Sequence, residues 1–372
     1  MRILLTGTRA PVALDLARAF RACGHEVHGA DSLRSAVLGG ALDSFSLCAS
    51  PRRQPEAFAR DADRIVNAIR PGLVISLCED IFYWSRLAES HGWPIFAPGL
   101  PVLMRLHSKF AFIELAHKLG LAAPPTHRIS KKKDELNTDR SVFKREFSRF
   151  GTHVFIRPKS LPRLDHDPVN PWLRQDFIAG EDVCFYAVAR AGRLRAFSAY
   201  RSSWRTSGGA SYYFDPIGEA LNQQLMNIAN ALIHILDLTG QIACDLRLDH
   251  DGQPWLVECN PRATSGLHLL ADNPQALTAA FLREDGEVLK ASSQPACVGP
   301  AMILSGLPKA IARGRLSAWQ KDMHRARDVF AGVRWPAFCG AISWMTLAAL
   351  AGQDLQTFLT ADMECNRDLT CG

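Results

Sequence analysis

At 372 residues the chain exceeds one ordinary domain and predicts two or three packed units. Hydrophobic residues make up 47% and charged residues 22%, enough apolar side chain for a sizeable core, which excludes wholesale disorder. The formal charge of +6 fits the handling of phosphates or acidic metabolites but excludes the dense basic stripe of a nucleic-acid binder.

Residues 3–6 form an apolar, strand-like run with no basic leader before it, so no signal peptide is read. The ten cysteines include no C-x-x-C pair, and several lie in apolar runs. They read as reduced thiols of a cytoplasmic protein, not as a zinc site or a disulfide framework. Residues 12–23 then read as a helix, 26–30 as a second strand, 60–69 as an amphipathic helix and 73–77 as a further strand. This βαβ rhythm predicts a Rossmann-like α/β domain over residues 1–100, with a parallel sheet covered by helices. Its first loop, Gly7-Thr8-Arg9-Ala10-Pro11, carries only one of the three glycines of a dinucleotide fingerprint, although Asp31 follows the second strand. Dinucleotide binding, and with it an oxidoreductase, is therefore not expected.

Around Ala97-Pro98-Gly99 the chain crosses to a new unit. Ser108 is placed to cap a helix with apolar positions Phe112, Ile113, Leu115, Ala116 and Leu119, stopped by Gly120. Residues 122–126 form an extended connector, and the charged stretch 131–149 reads as solvated helix and loop. From residue 154 short strands dominate, interrupted by a helix at 219–236. From 270 onward the chain looks mainly helical, and residues 308–327 read as a solvated helical face. Residues 335–352 carry no charge, but they contain Pro336 and barely reach the length of a membrane span. A buried helix is the better reading, packed on the core or forming a homodimer interface.

The strongest local signal is a hairpin with strands at 242–248 and 254–260 around the turn Asp249-His250-Asp251-Gly252. Period-2 alternation puts Glu258 and Asn260 on one face. Pairing Leu248 with Gln253 would set Asp245 opposite Leu256 and diagonal to Glu258. Two carboxylates and an amide oxygen on one face suit Mg²⁺, with Mn²⁺ as the alternative ion. The plainer reading is a surface hairpin with a wet acidic face.

The segments Asp245-Leu246-Arg247-Leu248-Asp249 and Val257-Glu258-Cys259-Asn260-Pro261-Arg262 resemble the metal hairpin of the ATP-grasp superfamily, above all its carbamoyl-phosphate-synthetase-like carboxylate–amine ligases. Further segments resemble the family in its own order. His107-Ser108-Lys109-Phe110 is similar to the first nucleotide-contacting lysine, and residues 119–124 to the connector after it. Phe155-Ile156-Arg157-Pro158-Lys159 is similar to the strand bearing the second cation. Gln175-Asp176-Phe177-Ile178-Ala179-Gly180-Glu181-Asp182 is similar to the adenine hinge and the ribose-binding acid. The resemblance implies a two-lobed ATP-grasp domain behind the Rossmann-like unit, with a central lobe at 101–180 and a lobe carrying the hairpin at 181–290. A mainly helical region, 291–372, follows.

It also implies ATP and Mg²⁺ as cofactors, with metal ligands Asp245, Glu258 and Asn260. Lys109 sits in the first turn of its helix, where the macrodipole disfavours a cation, as a residue kept for an anion would. Arg157 can fork onto phosphate oxygens. Gln175, Asp176, Phe177 and Ile178 would read the adenine edge through the backbone, and Asp182, or Glu181 beside it, would take the ribose hydroxyls. The family's glycine-rich phosphate flap is expected at residues 159–168, which hold no glycine. Phosphate coverage would then fall to Lys159, Arg163 or His166. Arg201 and Arg205, on a donor-rich loop, and Arg262, after Asn260-Pro261, are the candidates for neutralising the substrate or its acyl phosphate. His268 is assigned a structural place ahead of a base.

The function implied is an ATP-dependent ligase joining a small carboxylate to an amine, with no nucleic-acid or membrane partner. A kinase-like member that stops at the phosphorylated product, and a catalytically degenerate nucleotide-binding protein, are the alternatives.

Overall fold

The computed structural model describes residues 1–34, 38, 40–129, 137–149, 153–206, 211–333, 348, 350, 352 and 355–369. Most of the uncharged stretch 335–352 therefore lies outside the described residues. No described helix is long and apolar enough to cross a membrane.

The first hundred residues build a parallel sheet in the order β3-β2-β1-β4: β1 (Arg2–Thr6), β2 (Glu26–Asp31), β3 (Ser44–Leu47) and β4 (Leu73–Ser76). Helices α1 (Val12–Ala22), α2 (Pro55–Ile69) and α3 (Ile81–His91) cover it. β1 and β4 are buried along almost their whole length, which explains their continuous apolar sequence.

Two short helices, α4 (Leu100–His107) and α5 (Lys109–Lys118), meet at Ser108. The Ser108 hydroxyl accepts the Ala111 N–H at 3.0 Å, the expected N-cap, and donates to the Glu146 carboxylate. The central lobe is an antiparallel sheet in the order β5-β8-β6-β7: β5 (Thr126–Arg128), β6 (Ser141–Arg145), β7 (Val154–Ile156) and β8 (Trp172–Asp176). Strand β6 corrects the reading of 131–149 as solvated. Its Lys144 and Arg145, and Glu146 just after it, are buried, and each has a partner: the Val257 carbonyl across the lobes for Lys144, the Asn170 carbonyl for Arg145 and the Arg128 guanidinium for Glu146. Residues 131–136 of that stretch lie outside the described residues.

The large sheet runs β13-β12-β9-β10-β11, with β9 (Glu181–Arg190), β10 (Arg193–Arg201), β11 (Tyr213–Pro216), β12 (Gly240–Leu248) and β13 (Pro254–Asn260). Alternation along these strands feeds two cores. Phe185, Ala187, Ile242, Cys244 and Leu246 pack with α5 and with α6 (Glu219–Ile235). Tyr186, Val188 and Ala243 pack toward the first sheet around Phe20, Phe96 and Phe281. The C-terminal region is less purely helical than its sequence suggests. Ala296–Cys297 and Arg327–Asp328 extend the large sheet beyond β11. The chain then ends in the segment 355–369, laid against the first sheet through Asp362 and the central lobe through Cys365.

Candidate functional site

A cavity of about 480 Å³ opens between the central lobe and the face of β12–β13 turned away from α5 and α6. The hairpin pairs in a register different from the expected one. Leu248 faces Pro254, Arg247 faces Trp255 and Leu246 faces Leu256, and a bulge then absorbs Val257 so that Asp245 pairs directly with Glu258 and Ala243 with Asn260. The bulge keeps Leu246 and Leu256 together in the core while turning Asp245, Glu258 and Asn260 to the cavity. The diagonal contact expected between the two carboxylates becomes a direct one.

Asp245 accepts the Cys184 thiol at 2.9 Å and the Asn260 amide nitrogen at 3.2 Å. Burial, and then the charge of Glu258, raises the Asp245 carboxyl above its ordinary value. Burial acts the same way on Glu258, but Lys109 and Lys144 outweigh it and hold that carboxyl down. The Lys109 ammonium lies 3.6 Å from Glu258 and donates to the Ser148 carbonyl at 2.6 Å. Among the described residues no three His, Cys, Asp or Glu side chains gather as a metal cage. Two crowded carboxylates nonetheless fit a hard divalent cation that draws its remaining oxygens from phosphate and water. Asn260 turns its amide oxygen to Arg262 at 3.2 Å, so a half-turn of the amide brings that oxygen to the carboxylates.

Lys144, on β6, is the residue that sequence reasoning missed. It is buried in the cavity wall, donates to the Val257 carbonyl at 3.3 Å, and burial lowers its ammonium to about 8. The signal was faint: Ser141-Val142-Phe143-Lys144 is a short β-prone run without alternation. Ser148 and Arg149 of the β6–β7 connection line the cavity, whereas no residue of 159–168 does. Residues 150–152 of that connection lie outside the described residues. The segment after Arg157 is tied elsewhere, through Asp165 to Arg145 at 2.5 Å and to the Trp172 indole at 3.1 Å.

Of the expected nucleotide residues, Gln175, Asp176, Phe177, Ile178 and Asp182 line the cavity. The Gln175 amide donates to Thr126 at 2.9 Å, the Phe177 N–H to the Arg140 carbonyl at 2.9 Å, and the Arg247 Nε to the Ile178 carbonyl at 3.2 Å. Asp182 is bridged by Arg247 at 2.5 Å and Arg205 at 3.0 Å. Gly180, just before, has φ near +142°, and a β-carbon there would overlap the Leu248 carbonyl, so the hinge and the metal hairpin touch through glycine.

Arg205 and Arg262 also line the cavity. Glu181 and Arg201 pair with each other at 3.0 Å, both well exposed, outside it. Arg157 donates to the Asp139 carbonyl at 2.8 Å and lies over the Phe177 ring, exposed like Lys159 and likewise outside the lining. His268 is buried against Asp15 at 2.8 Å, itself held by Arg327, which fits its structural assignment.

An extended hinge, an acid beyond it, buried lysines and a two-carboxylate hairpin gather around one cleft. Residues 106–266 match the family model of the ATP-grasp domain. No curated protein matches the sequence. Among solved structures, the fold is similar to N5-carboxyaminoimidazole synthetase from Staphylococcus aureus complexed with ADP, at 11% identity and TM-score 0.63, covering 84% of this chain and 86% of that one. It is similar to biotin carboxylase from Campylobacter jejuni at 10% identity and TM-score 0.59, covering 77% and 72%. It is also similar to L-amino acid ligase from Bacillus licheniformis at 14% identity and TM-score 0.56, covering 75% and 74%.

Proposed function

We propose that the chain is an ATP- and Mg²⁺-dependent ligase that activates a small carboxylate and passes its acyl group to an amine. The observation that carries this reading is the direct Asp245–Glu258 pair, set beside Lys109 and Lys144 in the cleft that the 175–178 hinge closes at its other end. Adenine would lie along Gln175–Ile178 and the ribose against Asp182, with Lys144 and Lys109 toward the phosphates. Asp245, Glu258 and Asn260 would hold Mg²⁺, which when bound neutralises and orients phosphate oxygens.

A carboxylate oxygen of the substrate attacks the γ-phosphorus in line, and ADP departs. The amine nitrogen then attacks the acyl carbon, phosphate leaves and the nitrogen loses a proton. The protein's part is positioning and charge neutralisation by Lys144, Arg205 and Arg262, in a cleft that keeps water from the acyl phosphate. A degenerate nucleotide sensor would rest on the glycine-free stretch 159–168, which does not line the cavity.

The test is ADP and phosphate release from Mg·ATP over pooled carboxylates and amines, beside the Glu258→Gln, Asn260→Ala double variant. Release that needs both pools and is absent from the variant is the expected outcome. Phosphorylated product formed with no amine present would instead make the chain kinase-like. ATP binding with no turnover from any pool would sink the ligase reading.

A further inference from the structure

Beneath the cavity, on the side of the first sheet, lies a charged cluster of which the scheme above uses only Arg262. Glu79 follows β4 and is only 3% exposed. Its carboxylate takes the Arg149 guanidinium through two parallel contacts, Nε at 2.8 Å and Nη2 at 2.7 Å. The Arg262 Nη2 stands 4.0 Å from the same carboxylate. The Cys365 N–H donates to its other oxygen at 3.1 Å, while the Cys365 carbonyl accepts the His107 Nε2 at 2.7 Å. One residue of the C-terminal segment is therefore used on both sides, its N–H to hold Glu79 and its carbonyl to hold α4.

The two guanidiniums line the cavity and the carboxylate does not. The Glu79 carboxylate therefore stands behind two guanidiniums that border the open space. Burial works against ionising Glu79, but Arg149, then His107 and Arg262, hold its carboxyl down to about 2, so it stays charged at neutral pH. Burial also keeps His107 neutral, at about 4, and it adds no charge. The cluster joins residues far apart in the chain: 70 positions separate Glu79 from Arg149, and 286 separate it from Cys365.

We infer that Glu79 is a positioning residue which, locked by the C-terminal segment at Cys365, holds Arg149 and Arg262 as a paired-guanidinium subsite for an oxyanion of the substrate. The inference rests on the ATP-grasp reading of the cavity and adds to it a substrate that presents a carboxylate or phosphate group to this floor. A guanidinium pair recognises either by forked hydrogen bonds, and its energy depends on both planes being held. Gln at position 79 keeps the shape but loses the charge that holds them.

The test uses the full chain and the variants Glu79→Gln, Glu79→Asp and Arg149→Lys. MgADP affinity, by calorimetry, reports the nucleotide end and is expected within about twofold of the parent in all three. Inorganic phosphate and succinate, each titrated into the MgADP-saturated protein, report the floor. At least one is expected to bind about tenfold more weakly in Glu79→Gln and Arg149→Lys, with partial recovery in Glu79→Asp. The probe that weakens identifies the oxyanion. Equal binding of both probes by all four proteins, or no binding by the parent, overturns the inference while MgADP binding leaves the ATP-grasp reading standing. MgADP affinity falling in step with the probes overturns it as well, because the cluster would then only hold the fold. A parent that does not bind MgADP defeats the reading of the cavity and the inference with it.

Discussion

Glu79 and Asp80 are neighbours in the chain, are both almost fully buried, and face two different regions. Glu79 lies behind the cavity wall, held by the Arg149 guanidinium, and its carboxyl is pulled down to about 2. Asp80 faces the crevice at the carboxyl ends of β1 and β2. There burial, and also the charge of Asp31, push it up to about 7 against the pull of Thr6 and Arg9. In an open α/β sheet that crevice is where a ligand ordinarily binds. Here Arg9 fills it, bonded to Asp31, to Ser32 at 2.6 Å, to Asp362 at 2.7 Å and to the Leu359 carbonyl at 2.8 Å. The crevice satisfies its charges with the chain's own side chains and C-terminal segment. The cavity keeps two crowded carboxylates and a lysine of lowered pKa facing open space. A charged cluster marks a binding site when it leaves charge over for a ligand, and a structural knot when it does not.

That contrast breaks first at Arg9. Arg9→Met leaves the buried Asp31 without its counter-charge and is expected to cost about 3–5 kcal/mol in chemical unfolding. MgADP affinity measured on the folded fraction should stay within about twofold. A large loss of nucleotide affinity there would mean that the crevice is functional after all. In the cavity the ranking reverses. Glu258→Gln should lower turnover by about 100-fold or more while leaving the unfolding midpoint nearly unchanged. Lys144→Met is expected to raise the KM for ATP by about tenfold, because it removes a phosphate-side cation without touching the carboxylate pair.

The two acids make a subtler pair under pH. Asp80, raised in the folded state, favours the fold while protonated, so its contribution is present below about pH 4 and is lost as pH rises through about 7. Asp80→Asn should therefore flatten a decline of at most about 1.4 kcal/mol per pH unit across that range. Glu79, depressed in the folded state, stabilises above its unfolded value near 4.5, and that support is lost as pH falls toward about 2. Glu79→Gln should remove stability at neutral pH and blunt the acid limb, and unchanged pH–stability curves for both variants would erase the distinction drawn here. The smallest effect is reserved for Lys159→Ala, which should change the KM for ATP by less than about twofold, since Lys159 is exposed and outside the cavity. A loss comparable to Lys144→Met would restore the sequence-based assignment of the second cation to the 157–159 segment.

The sequence by itself determined what local patterns encode. Alternation around a polar turn marked β12 and β13 and chose Asp245, Glu258 and Asn260. Ser108 marked its helix start. Gln175–Ile178 and Asp182 were legible as a hinge and an acid because their order along the chain carries the family resemblance. What failed was whatever depends on a partner far away. Lys144 and its flanks looked solvated because burial of a charge is decided by groups such as Val257 and Asn170, which only folding brings alongside. The hairpin register was misread by one residue at the turn, where Leu248 pairs with Pro254, and by a second at the bulge, and a period-2 pattern cannot show a bulge that keeps Leu246 and Leu256 in the core. Glu79, Arg149 and Cys365 carry no shared local signal at all. Their meeting was decided by the packing of three parts of the chain, and only tertiary structure turns three separate residues into one floor.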